Sequence, residues 1–470
     1  MIRVIAHKEV RELVRDGRFR LGGALVLVLL LAALIFGWRQ SAAVKQERTA
    51  AQAIARAAWT AQGDKNPHIA AHFGMYVFKP SGTLAFLDPG ADPYLGVTLK
   101  LQAHEQELPQ DSAAQDATAI GRFGQLSAAA VLQLLVPLLI IALGFATWSG
   151  ERERGTLRLL AATGVKPRRL LAGKVLGLGA ALAMLLLPAV ALAAVALVSG
   201  AESGAGLRLA ALLPVYAAYF GVVVAVTLLA SALAPSSRAA LVALVGFWCV
   251  TSLIVPRAAS DLAARAVPLP TTGQLAETVH EAIAKGLPGQ PREDRIEILV
   301  KALLKRHGFE GAEIMMDEAL LQGIELQAEA EFENEVFDHH LGALMAGMDR
   351  QERVAQWAGA LSPFLAIRSL SMALAGTDFA HHRAFQQQAE TFRRGLVQAM
   401  NDDFAKNAGA AGWDYKANRQ LWQQAKPFVF QPPDLWWLLA EQRVALAMLA
   451  LWLLGASGAA LLAARRIRVA

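Results

Sequence analysis

The sequence predicts an all-α membrane protein with six transmembrane helices and a mainly helical periplasmic domain formed by two long extracytoplasmic segments. Three observations predict it. The 470-residue chain is 55% hydrophobic and only 18% charged, with a mean hydropathy of +0.37: too apolar for a soluble protein, too uneven for membrane spans alone. Apolar runs able to cross about 30 Å of hydrocarbon recur six times. Lys and Arg gather at alternate ends of these runs, as expected of short cytoplasmic segments.

The predicted order begins with a cytoplasmic amphipathic helix at 1–20 and a first span at 21–38. An extracytoplasmic segment, 39–125, leads to a second span at 126–148, a cytoplasmic loop at 149–174 and a third span at 175–199. Spans at 207–234 and 239–256, a long outer segment at 257–443, a sixth span at 444–464 and a cytoplasmic tail at 465–470 complete it. In the leading helix Ile2, Ile5, Ala6, Val10, Leu13 and Val14 recur at helical spacing, opposite Arg3, His7, Lys8, Arg11 and Arg15. Such a helix lies on the membrane surface. Its Glu9, Glu12 and Asp16 set it apart from a basic signal region, so the first span reads as an uncleaved anchor.

Orientation follows from the basic residues. Arg152, Arg154, Arg158, Lys166, Arg168, Arg169 and Lys174 crowd the 149–174 loop, Arg238 sits between the fourth and fifth spans, and Arg465, Arg466 and Arg468 follow the sixth. The loop 200–206 has no Lys or Arg. Six spans put every basic segment and both termini on the cytoplasmic side, with a bacterial inner membrane as the expected location. The net charge of +6 thereby reads as anchoring beside anionic membrane lipid, with no nucleic-acid partner expected. The one cysteine, Cys249, lies in an apolar run and builds no disulfide framework.

In the first outer segment, the Ala-rich stretch 41–62 continues the first span, prolines and glycines interrupt the remainder, and Tyr76–Phe78 reads as a short strand. In the second, helical spacing predicts helices at 295–306, 312–346, 351–374 and 378–407, punctuated by Gly308, Gly347 and Gly376. Trp436 and Trp437 suit an interfacial belt before the last span, and Glu441 and Arg443 read as interfacial charges.

The run SGERERGTLRLLAATGVKPRRLLAGK, Ser149–Lys174, is the most informative. It predicts a short helix capped by Ser149, with Glu151 and Glu153 at its positive end, an apolar face of Leu157, Leu160 and Ala161, and an end at Gly164 and Pro167. A short charged helix between two spans fits a groove on a cytoplasmic partner; an ordinary basic loop is the alternative.

Glu151-Arg152-Glu153-Arg154-Gly155-Thr156-Leu157, with Gly164 and 168–174, resembles the cytoplasmic loop of type-2 (ABC-2) ABC transporter permeases, and Ala6-His7-Lys8-Glu9-Val10-Arg11-Glu12-Leu13 resembles their surface "elbow" helix. The stretches 66–74, Phe78-Lys79-Pro80, Leu87-Asp88-Pro89-Gly90, Leu361-Ser362-Pro363 and 371–378 resemble a subgroup with a large periplasmic insertion. The resemblance implies the permease subunit of an ATP-driven exporter, with two permease subunits (identical or paralogous) above two ATP-binding subunits; the position of the outer domain above the spans suits substrate reception or docking of periplasmic or accessory proteins. The resemblance also implies a role in coupling to the ATPase for Glu151, Arg152, Glu153, Arg154, Gly155 and Thr156. ATP and Mg are expected on the separate ATPase, since this chain has no G-x-x-x-x-G-K-[ST] phosphate cradle. The chain itself is not expected to be an enzyme or to bind a cofactor directly, and no catalytic residue is assigned.

Two other readings are a membrane-anchored periplasmic scaffold or receptor and a metal-handling membrane protein. His68 and His72, His339-His340 and His381-His382 are the residues the latter would use, since imidazole suits copper, zinc or nickel. Pro67 and Gly74 leave little helix around His68, and these histidines read as structural or surface groups, with no metal site assigned. Glu329, Glu331, Glu333 and Glu335 read as a solvated helix face.

Overall fold

Within lipid an apolar run can satisfy its own backbone only by closing hydrogen bonds inside the segment. In the computed structural model, which describes residues 1–116, 126–200, 204–308 and 318–466, six such runs do so as helices. They are Gly17–Thr60, Ala128–Glu153, Pro167–Val198, Ala205–Leu233, Ser237–Ala266 and Arg443–Arg466. Strands among the described residues are few and short; the protein is an all-α membrane protein.

The first helix passes Trp38 without a break and runs 44 residues. The fifth also outruns its expected end at Pro256. A proline lacks an N–H and its ring crowds the carbonyl four residues back, yet here a wide π-type turn at Val250–Ile254 comes just before it. The second span repeats the device, with a wide turn at Val131–Leu135 ahead of Pro137. Neighbouring side chains take up carbonyls at both sites. The Tyr219 hydroxyl donates to Gln133 O (2.9 Å), the Trp248 indole to Leu134 O (3.2 Å) and the Ser362 hydroxyl to Thr251 O (2.5 Å). Carbonyls at the two wide turns are thus taken up by side chains from neighbouring elements.

The surface helix Ile2–Arg15 turns Ile2, Ile5, Ala6, Val10, Leu13 and Val14 inward, and Glu9 joins them on that half-buried face. It is seated on two glycines of the third span. A Cβ on Gly173 would stand 2.4 Å from Ile5 Cγ2, and one on Gly177 2.5 Å from Glu9 Cβ.

The two long segments fold into one extramembrane body. The first contributes the helix Pro67–Phe73 and an antiparallel sheet of β1 (Met75–Phe78), β2 (Thr98–Gln102) and β3 (Glu105–Gln106) in that order. Val77, Leu99 and Leu101 of the sheet pack on Phe385, Ala389 and Phe428 of the second segment. Trp59 and Trp422 are fully buried edge to face, with centroids 6.0 Å apart. The Trp59 indole donates to Trp422 O and that of Trp422 to Gly63 O, both at 2.9 Å.

The second segment divides its helices differently from the expectation. One helix runs from Glu318 through Gly347 to Ala358; residues 312–317 of the predicted helix lie outside the described ones. Gly347 is therefore not punctuation. A Cβ there would meet Leu269 at 2.5 Å, so glycine serves a close approach inside the helix. The break falls at 359–362, and Ser362 caps the helix Pro363–Ala375. Gly376, at φ +76°, ends it: its N–H reaches Ala373 O (3.1 Å) and that of Thr377 reaches Met372 O (3.0 Å), a Schellman closure. Phe379–Asn407 comes next, with Asp378 as its cap. Pro363–Ala375 does not stay in the extramembrane body. Its Ile367, Leu370 and Leu374 are wholly buried in the core of the spans, against the fourth and sixth.

Replacing Gly173 or Gly177 by Leu should unseat the surface helix and destabilise the protein by about 1–3 kcal/mol, the usual effect of overpacking. Thermal unfolding in detergent checks this; an unchanged transition in both variants contradicts the seat.

Candidate functional site

The loop between the second and third spans is two short helices, not one. Ser149–Glu153 prolongs the second span, Gly155 breaks the helix at φ +71°, and Thr156–Ala162 forms a separate helix of about two turns. Gly164, at φ +70°, ends that piece, and Pro167 opens the third span. Because no new helix starts at Ser149, it is not an N-cap. Its hydroxyl bonds instead to Phe145 O (3.2 Å) and Ser237 Oγ (3.0 Å).

The residues singled out by resemblance occupy distinct settings. Glu151 is buried, 6% exposed, and accepts from Lys174 Nζ at 2.7 Å. The same ammonium reaches Glu9 of the surface helix at 3.2 Å and lies over the Trp148 ring, 5.2 Å from its centroid. Lys8 closes the cluster at 3.6 Å from Glu9 and 3.9 Å from Glu151. Arg152 donates to Ala232 O (2.7 Å) and Ala234 O (2.8 Å), orphan carbonyls at the end of the fourth span. Glu153 accepts from the Ser237 amide (2.7 Å) and hydroxyl (2.8 Å), where the fifth span begins. A carboxylate there also meets the positive end of the helix dipole. Thr156 Oγ1 bonds Glu151 O at 3.2 Å. Gly155 supplies the turn, and Arg154 is exposed.

Glu151 thus faces inward, and the surface open to a partner lies further along. On Thr156–Ala162, Leu157 is buried while Arg158 is exposed and Leu159 is 70% exposed. Arg154, Lys166, Arg168 and Arg169 surround them, all exposed. Of the expected apolar face, Leu157 joins the core of the spans and Leu160 is half-buried; the side chain of Ala161 lies outside the described ones. The outward side is basic with a single large apolar residue.

Beyond the loop, Glu441 sits 3.7 Å from Arg383 at the junction of Leu435–Glu441 with the last span. The four glutamates expected on a solvated face are instead partnered: Glu329 with Arg292 (2.9 Å), Glu331 with Arg306 (3.3 Å), Glu335 with Arg295 (2.6 Å) and Glu333 with His104 (2.7 Å). Their partners lie in other helices or in the first segment, beyond the reach of local spacing.

The short helix Pro67–Phe73 is long enough to stack His68 and His72 on one side, Nε2 to Nε2 at 3.1 Å. His104, which the sequence did not single out, comes from the turn after β2 to lie 3.4 Å from His68. Burial pushes His68 down to about 4, while the Glu333 hydrogen bond raises His104. His381 accompanies Asp378 (2.5 Å) and Arg208 (3.2 Å) in a separate buried cluster.

A family model described as "ABC-2 family transporter protein" matches residues 3–392, which include the surface helix, five spans and the loop 149–174. No curated protein matches the chain.

Lys174→Met leaves the buried Glu151 and the partly buried Glu9 with only the exposed Lys8 nearby and should destabilise the protein by about 3 kcal/mol. Adding Glu9→Gln and Glu151→Gln should recover most of that loss in detergent unfolding. A single variant as stable as the wild type would contradict the ion-pair cluster.

Proposed function

The chain belongs to the ABC-2 transporter family as a membrane permease component, and from that premise we propose that its loop 149–174 couples it to a separate ATP-binding subunit. Permeases of this family generally work with such a subunit and are not themselves catalytic. ATP and Mg belong on that partner. The observation that carries the coupling is the helix Thr156–Ala162, which exposes Arg158 and Leu159 and is flanked in sequence by the exposed Arg154, Lys166, Arg168 and Arg169. It is mounted on residues bound to four other elements of the bundle. A push on this helix reaches the surface helix and third span through Glu151, the fourth span through Arg152 and the fifth through Glu153.

We place this end in the cytoplasm, with both termini, because the basic segments gather there. The extramembrane body then lies in the periplasm of a bacterial inner-membrane exporter. A second permease subunit, a copy or a paralogue, completes the assembly.

Affinity purification from the native host should yield a stoichiometric soluble chain carrying G-x-x-x-x-G-K-[ST]. Arg158→Glu with Leu159→Asp, on an exposed face, should alter stability by no more than about 0.5 kcal/mol and release that chain. Retention at wild-type stoichiometry would refute the docking face. A periplasmic scaffold would copurify only periplasmic proteins and be indifferent to the substitution.

A further inference from the structure

We propose that His68, His72 and His104 form a binding site for a zinc-class divalent transition cation, held by three imidazole nitrogens with a fourth position open to solvent. This goes beyond the permease reading and does not depend on it.

The spacing suits such an ion. Three nitrogens at about 2.0–2.1 Å from a tetrahedral zinc stand about 3.3–3.4 Å from one another. His68 Nε2 lies 3.1 Å from His72 Nε2 and 3.4 Å from His104 Nε2, and all three ligand atoms lie within 4.8 Å of each other. Only the His72–His104 pair has to close.

The outer ring nitrogens fix what the inner ones offer. Glu333 Oε2 lies 2.7 Å from His104 Nδ1. A carboxylate only accepts, so the proton is on Nδ1, and in the neutral ring, the form that binds a metal, Nε2 keeps its lone pair. His68 Nδ1 faces Asn401 Oδ1 at 3.2 Å, and the Asn401 amide is oriented by donating to Gln327 Oε1 at 3.1 Å. That ring too carries its proton on Nδ1. With both rings neutral, their Nε2 lone pairs face each other across 3.4 Å, an arrangement that a shared cation relieves. Orienting a ligand histidine through a carboxylate or amide on its far nitrogen is how metal sites hold their rings.

The backbone presents the three rings from independent anchors. Asn66 caps the helix that places His68 and His72 one turn apart. His104 stands at φ +62°, a left-handed conformation uncommon for a side-chain-bearing residue. His68 is buried, His104 half-buried and His72 exposed, so one side of the cluster is open to water. Three imidazoles with no carboxylate in the inner set select zinc, copper(II) or nickel over magnesium or calcium. The ligands belong to the first extramembrane segment, and their supports Glu333, Asn401 and Gln327 to the second, so a bound ion clasps the two.

The test uses the full-length protein in detergent with an affinity tag free of histidine, stripped with a chelator and titrated with Zn2+ alone, then Co2+ alone. One equivalent per chain is expected, with the visible absorption of tetrahedral cobalt and a raised unfolding temperature on loading. His72→Ala, at an exposed position, and His104→Ala should each weaken binding by more than about 100-fold, and Glu333→Gln by about 10–100-fold. His339→Ala with His340→Ala should leave it unchanged. Substoichiometric binding by the wild type, or undiminished affinity in His72→Ala, would overturn the site. Both readouts are made on the isolated chain, so neither depends on the ATP-binding subunit.

Discussion

One buried ammonium organises the loop end of this protein. Lys174, 3% exposed, is shared by Glu151 at the end of the second span and Glu9 on the surface helix. Removing such a charge from water is expensive, and only close, multiple partners offset it. The flanking sequence meets that demand. Gly173 and Gly177, on either side of Lys174, let the surface helix approach until Glu9 can reach. Arg152 and Glu153, the next two residues after Glu151, satisfy the end of the fourth span and the start of the fifth. Three consecutive side chains thereby tie a short loop to most of the bundle, which is the rigidity a mechanical connection needs.

At the opposite end another buried cation joins the bundle to the extramembrane body. Arg208, at the start of the fourth span, donates to Pro433 O at 2.6 Å and faces His381 Nε2 at 3.2 Å. His381 is held in turn by Asp378, the cap of the helix Phe379–Asn407. The helix Pro363–Ala375 enters the bundle just before this point. Displacements of the fourth span are thus linked to the body at one end and, through Arg152, to the loop at the other. In the proposed transporter this span connects the two.

The legible features of the sequence were those that repeat or punctuate locally. The apolar runs gave the spans, helical spacing gave the inner face of the surface helix, and Gly376 marked a helix end. Hidden features depended on distant partners. Glu151 looked like a partner-facing charge because Lys174 meets it only after the chain has turned through the loop. Glu329–Glu335 looked solvated because their partners come from another helix and from the turn after β2. His104 was invisible for the same reason: it lies 36 residues from His68 and reaches it only through a left-handed backbone turn. Gly347 misled because a glycine that admits a neighbour and a glycine that ends a helix look alike in sequence.

Site-specific photo-crosslinking tests the central claim most directly. A photoreactive side chain would be placed at Leu159 in one variant and at Val198, far along the third span, in another, each in cells holding the native partners. Coupling through the exposed face of Thr156–Ala162 predicts an ATP-binding chain crosslinked from position 159 and none from position 198. No such adduct from 159, with the protein inserted and folded, would contradict it.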